Sequence, residues 1–436
     1  MRRNTSLFAL LTLALAMTGG CASVGDESSR GPGGPVSEVG TGGGSYAGDG
    51  DGTGAASSGS AGSAGSEGTG TAPAAVPAEE CGEGCTGIEE VPAGQLTAGE
   101  WRDLDDWELW LSLASSEEWG GMQAHWGYET TLRVPVRVSN AGANVIDAAV
   151  ELRDASGAAV FSARTDSQGR AELFASLFAE NTGPYSVVVT AGTATATVTD
   201  VDPAIFREIP VELAGAPAAG TPNLDLMFVV DTTGSMGDEL WYIQAELEDV
   251  IARAREEAAQ NFDLRLSMNF YRDDGDAYVV RSQPFADDTA PGLAALAAES
   301  ANGGGDFPEA VDQALADAIN DHTWSEHATA RLLFLVLDAP PHNDQAMMAR
   351  LRDANRAAAA HGVKIIPVAG SGIDKETEFL MRFLAVTTGG TYTFLTNHSG
   401  IGGDHIEPSI GLFKVWLLND LLVEIISDEI SPSTAD

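Results

Sequence analysis

Three textures of hydrophobic and polar residues divide the chain. From residue 22 to about 98 almost no large apolar side chain appears, and Gly, Ser, Ala, Asp and Glu dominate. Such a stretch cannot bury enough surface to offset the entropy of ordering, so 22–98 is expected to be a disordered tether. From Glu129 to Asp200 apolar and polar residues alternate: Leu132, Val134, Val136 and Val138, then Val150 and Leu152, Val160, Tyr185 to Val189, and Thr195 to Thr199. Turn-forming clusters at Asn140–Gly142, Asp154–Gly157, Asp166–Gly169 and Asn181–Gly183 separate them. Short alternating strands at this spacing predict a small all-β sandwich over 129–205. Pro135 predicts an edge position for its first strand.

The third texture, 222–430, alternates apolar runs with helical periodicity. Strands are expected at Leu224–Val230, Asp263–Phe270, Tyr278–Arg281, Leu332–Leu337, Val363–Val368 and Thr391–Phe394. Helices are expected at Asp238–Ala254, Pro291–Glu299, Pro308–Ile319, Gln345–His361, Glu376–Thr387 and Leu412–Ile426. Asp274-Gly275 between two strands predicts a hairpin. The pattern implies an α/β domain, doubly wound and Rossmann-like, with a mostly parallel sheet and one antiparallel edge strand. Between tether and sandwich, 99–128 holds five of the eight tryptophans. Thr97 reads as the cap of a helix that includes Trp101, Leu104, Leu111 and Leu113 and packs on a neighbouring domain.

Charge and the amino terminus narrow the setting. The 436 residues carry 64 acidic against 23 basic side chains, a net charge of −41. That disfavours nucleic acid, which needs basic surface. Arg2 and Arg3 followed by a short apolar core, Leu7–Met17, read as a signal peptide over 1–21. Thr18-Gly19-Gly20-Cys21 resembles the bacterial lipobox, which implies lipidation at Cys21; the alternative is cleavage after Ala22. Cys81 and Cys85, separated by Gly-Glu-Gly, remain as an even pair suited to a small disulfide loop in an oxidising compartment.

The candidate chemistry sits where the run Leu226–Val230 stops at Asp231-Thr232-Thr233-Gly234-Ser235. A helical pattern follows at once. In an open parallel sheet this junction lies at the carboxyl end of a strand, where ligands bind. One carboxylate and the hydroxyls two and four residues on offer hard oxygens suited to a small divalent cation. The same string also suits a helix cap.

Asp231, Thr233 and Ser235 resemble the Asp-x-Ser-x-Ser pattern of the metal-ion-dependent adhesion site of von Willebrand factor A domains, with Thr233 replacing the first Ser. The resemblance implies two further loops at the same end of the sheet. Asn302-Gly303-Gly304-Gly305-Asp306 stands where the family has Gly-Gly-Gly-Thr, and Asp338 follows the buried Leu333–Leu337. The implied metal ligands are Asp231, Thr233, Ser235, Asp306 and Asp338. Mg2+ is the cation the family implies, and the additional carboxylate leaves Ca2+ and Mn2+ open. Asp306 has a second role open to it, because Pro308 and Glu309 behind it make a helix-start signature. Asp273, His342 and Glu309 are candidates for the surroundings of the ion, although the turn Arg272–Asp276 by itself reads as solvated. The loop Thr396–Glu407 groups His398 and His405 with Asp404 and Glu407, and reads as a glycine-rich loop or a second metal site.

The sandwich is similar to immunoglobulin-like modules of bacterial surface proteins. Thr97–Trp101, Tyr271–Asp273, Gly303–Glu309 and Asp338–His342 together resemble a class of exported bacterial A-domain lipoproteins. The implied function is a cell-envelope binding module that engages a protein or glycan partner through a divalent cation. It would be held by a lipid at the outer membrane, facing the periplasm or the cell surface. A structural scaffold whose cation fastens loops is the alternative. A metal-dependent hydrolase is the weakest reading, because no His-Glu-x-x-His, Gly-x-Ser-x-Gly or Walker A string occurs and Ser235 has no evident base.

Overall fold

Thr97 opens a strand instead of capping a helix. This strand, β1 (Thr97–Trp101), is the first element of the computed structural model, which describes residues 91–431 apart from 179–182, 206, 218–221 and 260–261. The expected signal peptide with Cys21, the pair Cys81 and Cys85, and the turn residues Asn181 and Thr182 lie outside the described residues. The described residues belong to one unit, Gly68–Asp436. Leu96 and Ala98 alternate into the core with no exposed surface. The N–H groups of Gly94, Gln95 and Leu96 donate to the carboxylate of Glu246 at 2.7, 2.7 and 3.0 Å. Residues 94–98, which composition assigns to the tether, are therefore built into the domain.

Helices α1 (Trp107–Ala114) and α2 (Glu117–Trp126) follow. Asp106 caps the first by accepting from Leu109 N, and Ser116 caps the second by accepting from Trp119 N. The strands β2 (Arg133–Asn140), β3 (Ala143–Asn144), β4 (Ala149–Arg153), β5 (Ala159–Arg164), β6 (Arg170–Phe174), β7 (Tyr185–Ala191), β8 (Ala194–Val201) and β9 (Ile209–Glu212) come next. They form two four-stranded sheets, one of β3-β2-β6 with β9 added to β2, the other β5-β4-β7-β8. β9 extends this region past residue 205. β2 is flanked on both sides, by β6 and by β9, so it is no edge strand. Pro135 is tolerated because it lies opposite Glu172 of β6, while the pairing with β9 begins only at Val136.

The remainder is β10 (Asn223–Asp231), α3 (Leu240–Ala258), β11 (Asp263–Tyr271), β12 (Val280–Ser282), α4 (Ala290–Ala298), α5 (Val311–Asn320), β13 (Ala330–Leu337), α6 (Gln345–His361), β14 (Val363–Ala369), α7 (Lys375–Thr388), β15 (Tyr392–Leu395), β16 (Trp416–Leu417) and α8 (Leu418–Ile430). One eight-stranded sheet runs β12-β11-β10-β13-β14-β15-β1-β16. Its interior pairs are parallel, and β12 is antiparallel at one edge. The other edge is antiparallel too, because β1 comes in beside β15 and β16 beside β1. Sequence periodicity misses this edge, because β1 lies some three hundred residues from its partner and β16 has only two residues. Residues from Leu412 onward accordingly begin as coil and strand, and the last helix starts at Leu418.

The continuous apolar runs of β10 and β13 follow from burial on both faces. Leu224, Leu226, Phe228 and Val230 join Leu332, Phe334 and Val336 in a core shared with α3 and α8. Met227, Val229, Leu333, Leu335 and Leu337 face the other way, into a core shared with α5, α6, α7 and the two small sheets. The tryptophan segment closes that second core against α7. Trp119 meets Phe379 edge-on at 5.5 Å, and Tyr128 stacks on Phe383 at 3.7 Å. Arg382, with no exposed surface, reaches Asp103 at 2.6 Å and Glu378 at 3.0 Å and lies over the Trp119 ring.

Glu246→Ala strips three backbone donors of one charged acceptor. Urea denaturation of the variant should show a loss of roughly 2–4 kcal/mol. A loss no larger than that of an exposed-surface substitution would remove the anchoring role assigned to Glu246.

Candidate metal centre

Parallel register brings the strand ends level. Asp231 lies opposite Tyr271 of β11, and Val230 lies opposite Val336 of β13. The loops that begin at Asp231, Arg272 and Asp338 therefore leave the sheet at the same end. The Asp231 loop is also stitched to the glycine loop, since Asn302 N donates to Thr232 O at 3.0 Å and Gly234 N donates to Gly303 O at 3.2 Å.

Asp231 is fully buried. Its Oδ1 accepts from Thr233 N at 2.8 Å and from Thr233 Oγ1 at 2.6 Å, and the Ser235 hydroxyl lies 3.2 Å from that of Thr233. A short 3-10 turn, Gly234–Asp238, carries the chain from there into α3. Asp231 Oδ2 has no hydrogen-bond partner. Neither do Asp338 Oδ1, Glu309 Oε2 or the Tyr271 hydroxyl, all buried. The Tyr271 hydroxyl stands near enough to Asp231, and the Ser235 hydroxyl to Asp338, to ease their charge, but no well-formed hydrogen bond reaches Asp231 Oδ2, Asp338 Oδ1 or Glu309 Oε2.

Their acidity reflects this crowding. Burial, reinforced by Asp273 and offset by Thr233 and the Tyr271 hydroxyl, pushes Asp231 up to about 6. Burial and the charge of Asp231 push Asp338 up to about 7, with the Ser235 hydroxyl pulling the other way. Burial and then Asp231, Asp273, Asp338 and Asp276 push Glu309 up to about 9. Burial, Asp231 and Asp338 hold the Tyr271 hydroxyl well above its usual range.

The structure separates Asp306 from Glu309. Asp306 is exposed. Helix α5 starts only at Val311, with Ala310 at its cap position and no side chain capping it, so Asp306 is not that cap. Glu309 is the buried member, 3% exposed. Gly304, at φ +70°, makes room for it: a Cβ there would stand 2.8 Å from Glu309 Oε1. Gly303, at φ +83°, likewise leaves space for Asp276, whose carboxylate a Cβ would meet at 2.3 Å. Asp276 Oδ2 accepts from Gly304 N at 2.8 Å and from Asp273 N at 3.1 Å, clasping the hairpin loop to the glycine loop. Asp273 is buried and 2.8 Å from His342 Nε2. The turn Arg272–Asp276 is thus partly internal, because these loops give its polar groups partners that sequence alone does not show.

One further carboxylate carries no sequence signal of its own. Glu239, 1% exposed, accepts from Ser371 N at 3.2 Å. His405 Nε2 lies 3.0 Å from Glu239 Oε1, and His405 Nδ1 is 2.9 Å from Asn397 Oδ1. This approach sets the loop Thr396–Glu407 beside the Asp231 loop, with His405 Nε2 facing Glu239 but making no hydrogen bond. It takes up His405, while His398 contacts Thr396 Oγ1 instead.

Among the described residues, no three His, Cys, Asp or Glu side chains form by themselves a group that could hold a metal ion. What gathers here is a mixed oxygen set: Asp231 and Asp338 with unsatisfied oxygens, and the hydroxyls of Thr233 and Ser235. All are hard donors, and the orphaned carboxylate oxygens are what a divalent cation would satisfy, so the residues present fit such an ion.

The signs of the shifts give a test. Asp231, Asp338 and Glu309 hold protons more tightly in the fold than in the unfolded chain. Their stabilisation is therefore complete below about pH 4 and is lost as pH rises toward about 9. In chelator, the calorimetric melting temperature should fall across that window, and saturating Mg2+ or Ca2+ should flatten the decline. Asp231→Asn should melt higher than wild type in chelator near neutral pH, by the equivalent of roughly 2–3 kcal/mol, and should lose the cation-induced rise. A variant that melts lower in chelator contradicts the charge-crowding account.

No curated protein matches the chain. Residues 225–400 match the family model described as von Willebrand factor A domain. The matched span contains the Asp231 loop, the hairpin loop, the glycine loop and Asp338, while β1, β16 and α8 lie outside it. Between residues 225 and 400 the chain therefore carries a von Willebrand factor A domain.

Proposed function

We propose that this protein is a binding module of the cell envelope that engages a protein or glycan partner through a divalent cation held by Asp231, Thr233, Ser235 and Asp338. Domains of this family commonly serve adhesion and protein interaction. The observation that carries the proposal is the pair of buried, unpartnered oxygens, Asp231 Oδ2 and Asp338 Oδ1, beside two hydroxyls at the carboxyl end of the sheet. When bound, the cation supplies a coordination position for a partner's oxygen. The chain's own part is to hold its ligands without reorganisation. Thr233 fixes Asp231, the glycine loop is hydrogen-bonded to the Asp231 loop, and Glu239 ties the far loop down. Mg2+ is the expected ion, with Ca2+ and Mn2+ also suited to an all-oxygen set.

In this reading Cys21 carries a lipid and 22–90 tethers the folded part to the outer membrane. The binding reading is favoured over a hydrolase because no described hydrogen bond joins His342 to Ser235: His342 Nε2 faces Asp273 and Ser235 lies against Thr233.

Intact protein, wild type beside Asp231→Ala, should be incubated with envelope extract in Mg2+ or Ca2+. Wild type should retain a partner that chelator releases while circular dichroism stays unchanged, and Asp231→Ala should retain none. Identical bound material for both proteins would refute the proposal. A chelator-induced drop in melting temperature with nothing released would favour the scaffold.

A further inference from the structure

Three of the six large hydrophobic side chains exposed among the described residues fall in one short stretch: Leu412, Phe413 and Leu417. Leu412 stands clear of the fold, at 101% exposure. The residues around it are anchored. Gly411 lies so close to Trp101 that a Cβ would come within 2.8 Å of the indole, and Phe413 meets Phe394 edge-on at 5.0 Å. Trp416 and Leu417 pair with Ala98 and Thr97 of β1 at the edge of the large sheet. Leu412 is therefore the tip of a braced loop, and an apolar patch displayed in this way marks an interaction surface.

The polar groups beside the tip indicate which surface it meets. Lys414 lies over the Trp416 ring, 3.1 Å from its centre. The chain has three lysines. Lys364 is held by Asp166 and Glu429 and Lys375 by Glu378, whereas Lys414 has no acidic partner among the described residues. Leucine and phenylalanine at a tip, with an indole and an uncommitted ammonium behind them, match a lipid interface. The apolar side chains enter the acyl region, while the indole and the ammonium stay at headgroup level beside phosphate. The entry of the chain points the same way. A Cβ on Gly94 would lie 3.7 Å from Leu417 Cδ1, so the stretch 22–90 joins the folded part beside this loop. With almost no large apolar side chain, 22–90 has nothing to cover Leu412 and Phe413. A lipid on Cys21 would raise the local concentration of bilayer at this edge, so that insertion of a few side chains suffices.

We infer that the loop 411–417 docks the folded part on a lipid bilayer by inserting Leu412 and Phe413. This rests on the membrane attachment read above for Cys21 and adds how the folded part meets the membrane. Full-length Leu412→Trp should be bound to phosphatidylcholine vesicles, recovered by flotation, and its emission compared with that of wild type. The emission added by the substitution should shift to the blue on vesicles and be quenched about twofold or more when the acyl chains carry bromine near their headgroup end. Hydrogen exchange supplies a second measurement: on vesicles the amides of 411–417 should exchange about threefold or more slowly in wild type, and Leu412→Asp, a change at a fully exposed side chain, should lose that protection. If the protein floats but the added emission is neither shifted nor quenched, the attachment stands and the inference is overturned. Equal protection of 411–417 in Leu412→Asp also overturns it. A blue shift without vesicles, in protein that sediments as a dimer, makes the patch a contact between copies and overturns it as well. Protein that does not float at all refutes the attachment reading, and the inference with it.

Discussion

At the end of β10 the chain buries Asp231 completely and leaves one of its oxygens without a donor. A buried, unsatisfied carboxylate is costly, and two more stand beside it. The parallel sheet sets this arrangement up. Both faces of β10 and β13 are packed, so the strands emerge together at one end, and the loops that follow bring Asp231, Glu309 and Asp338 close to one another. The cost falls when a proton or a cation enters, and this couples the stability of the fold to occupancy of its site.

Everything near that point limits movement. Thr233 holds Asp231 through both its N–H and its hydroxyl. Asp276 clasps the glycine loop to the hairpin loop, and Glu239 holds Ser371 behind them. Apart from Thr233, the bracing residues are not ligands themselves. They set where Asp231, Asp338 and Glu309 stand, as a preorganised site requires. Farther off, β1 seals the sheet edge next to β15, and the tryptophan segment with Arg382 joins α7 to the two small sheets in one continuous core.

Much of this was legible in the chain. The strand–helix alternation of 222–395 reads directly from hydrophobic period, and α6 begins and ends at the residues that pattern predicts, Gln345 and His361. Asp231, Thr233, Ser235 and Asp338 are local features: a polar residue just after an apolar run must sit at a strand tip. β1 and β16 were not legible, because a short strand with a distant partner leaves no periodic trace. The helix start expected at Asp306 fails for a related reason. A capping string predicts a helix start, but Glu309 N donates to Pro340 O, which ties that segment to the Asp338 loop and delays the helix to Val311.

The sequence by itself therefore determined the layers, the succession of strands and helices along the chain and the loop oxygens adjacent in it, since each depends on near neighbours and on period. Only the tertiary structure decided that Glu309 turns inward, that Asp276 and Glu239 brace the loops, and that residues 97–101 close the sheet. Each of these depends on the close approach of segments far apart in the chain. Such an approach is set by packing density and by the room a glycine leaves, neither of which has a one-dimensional signature.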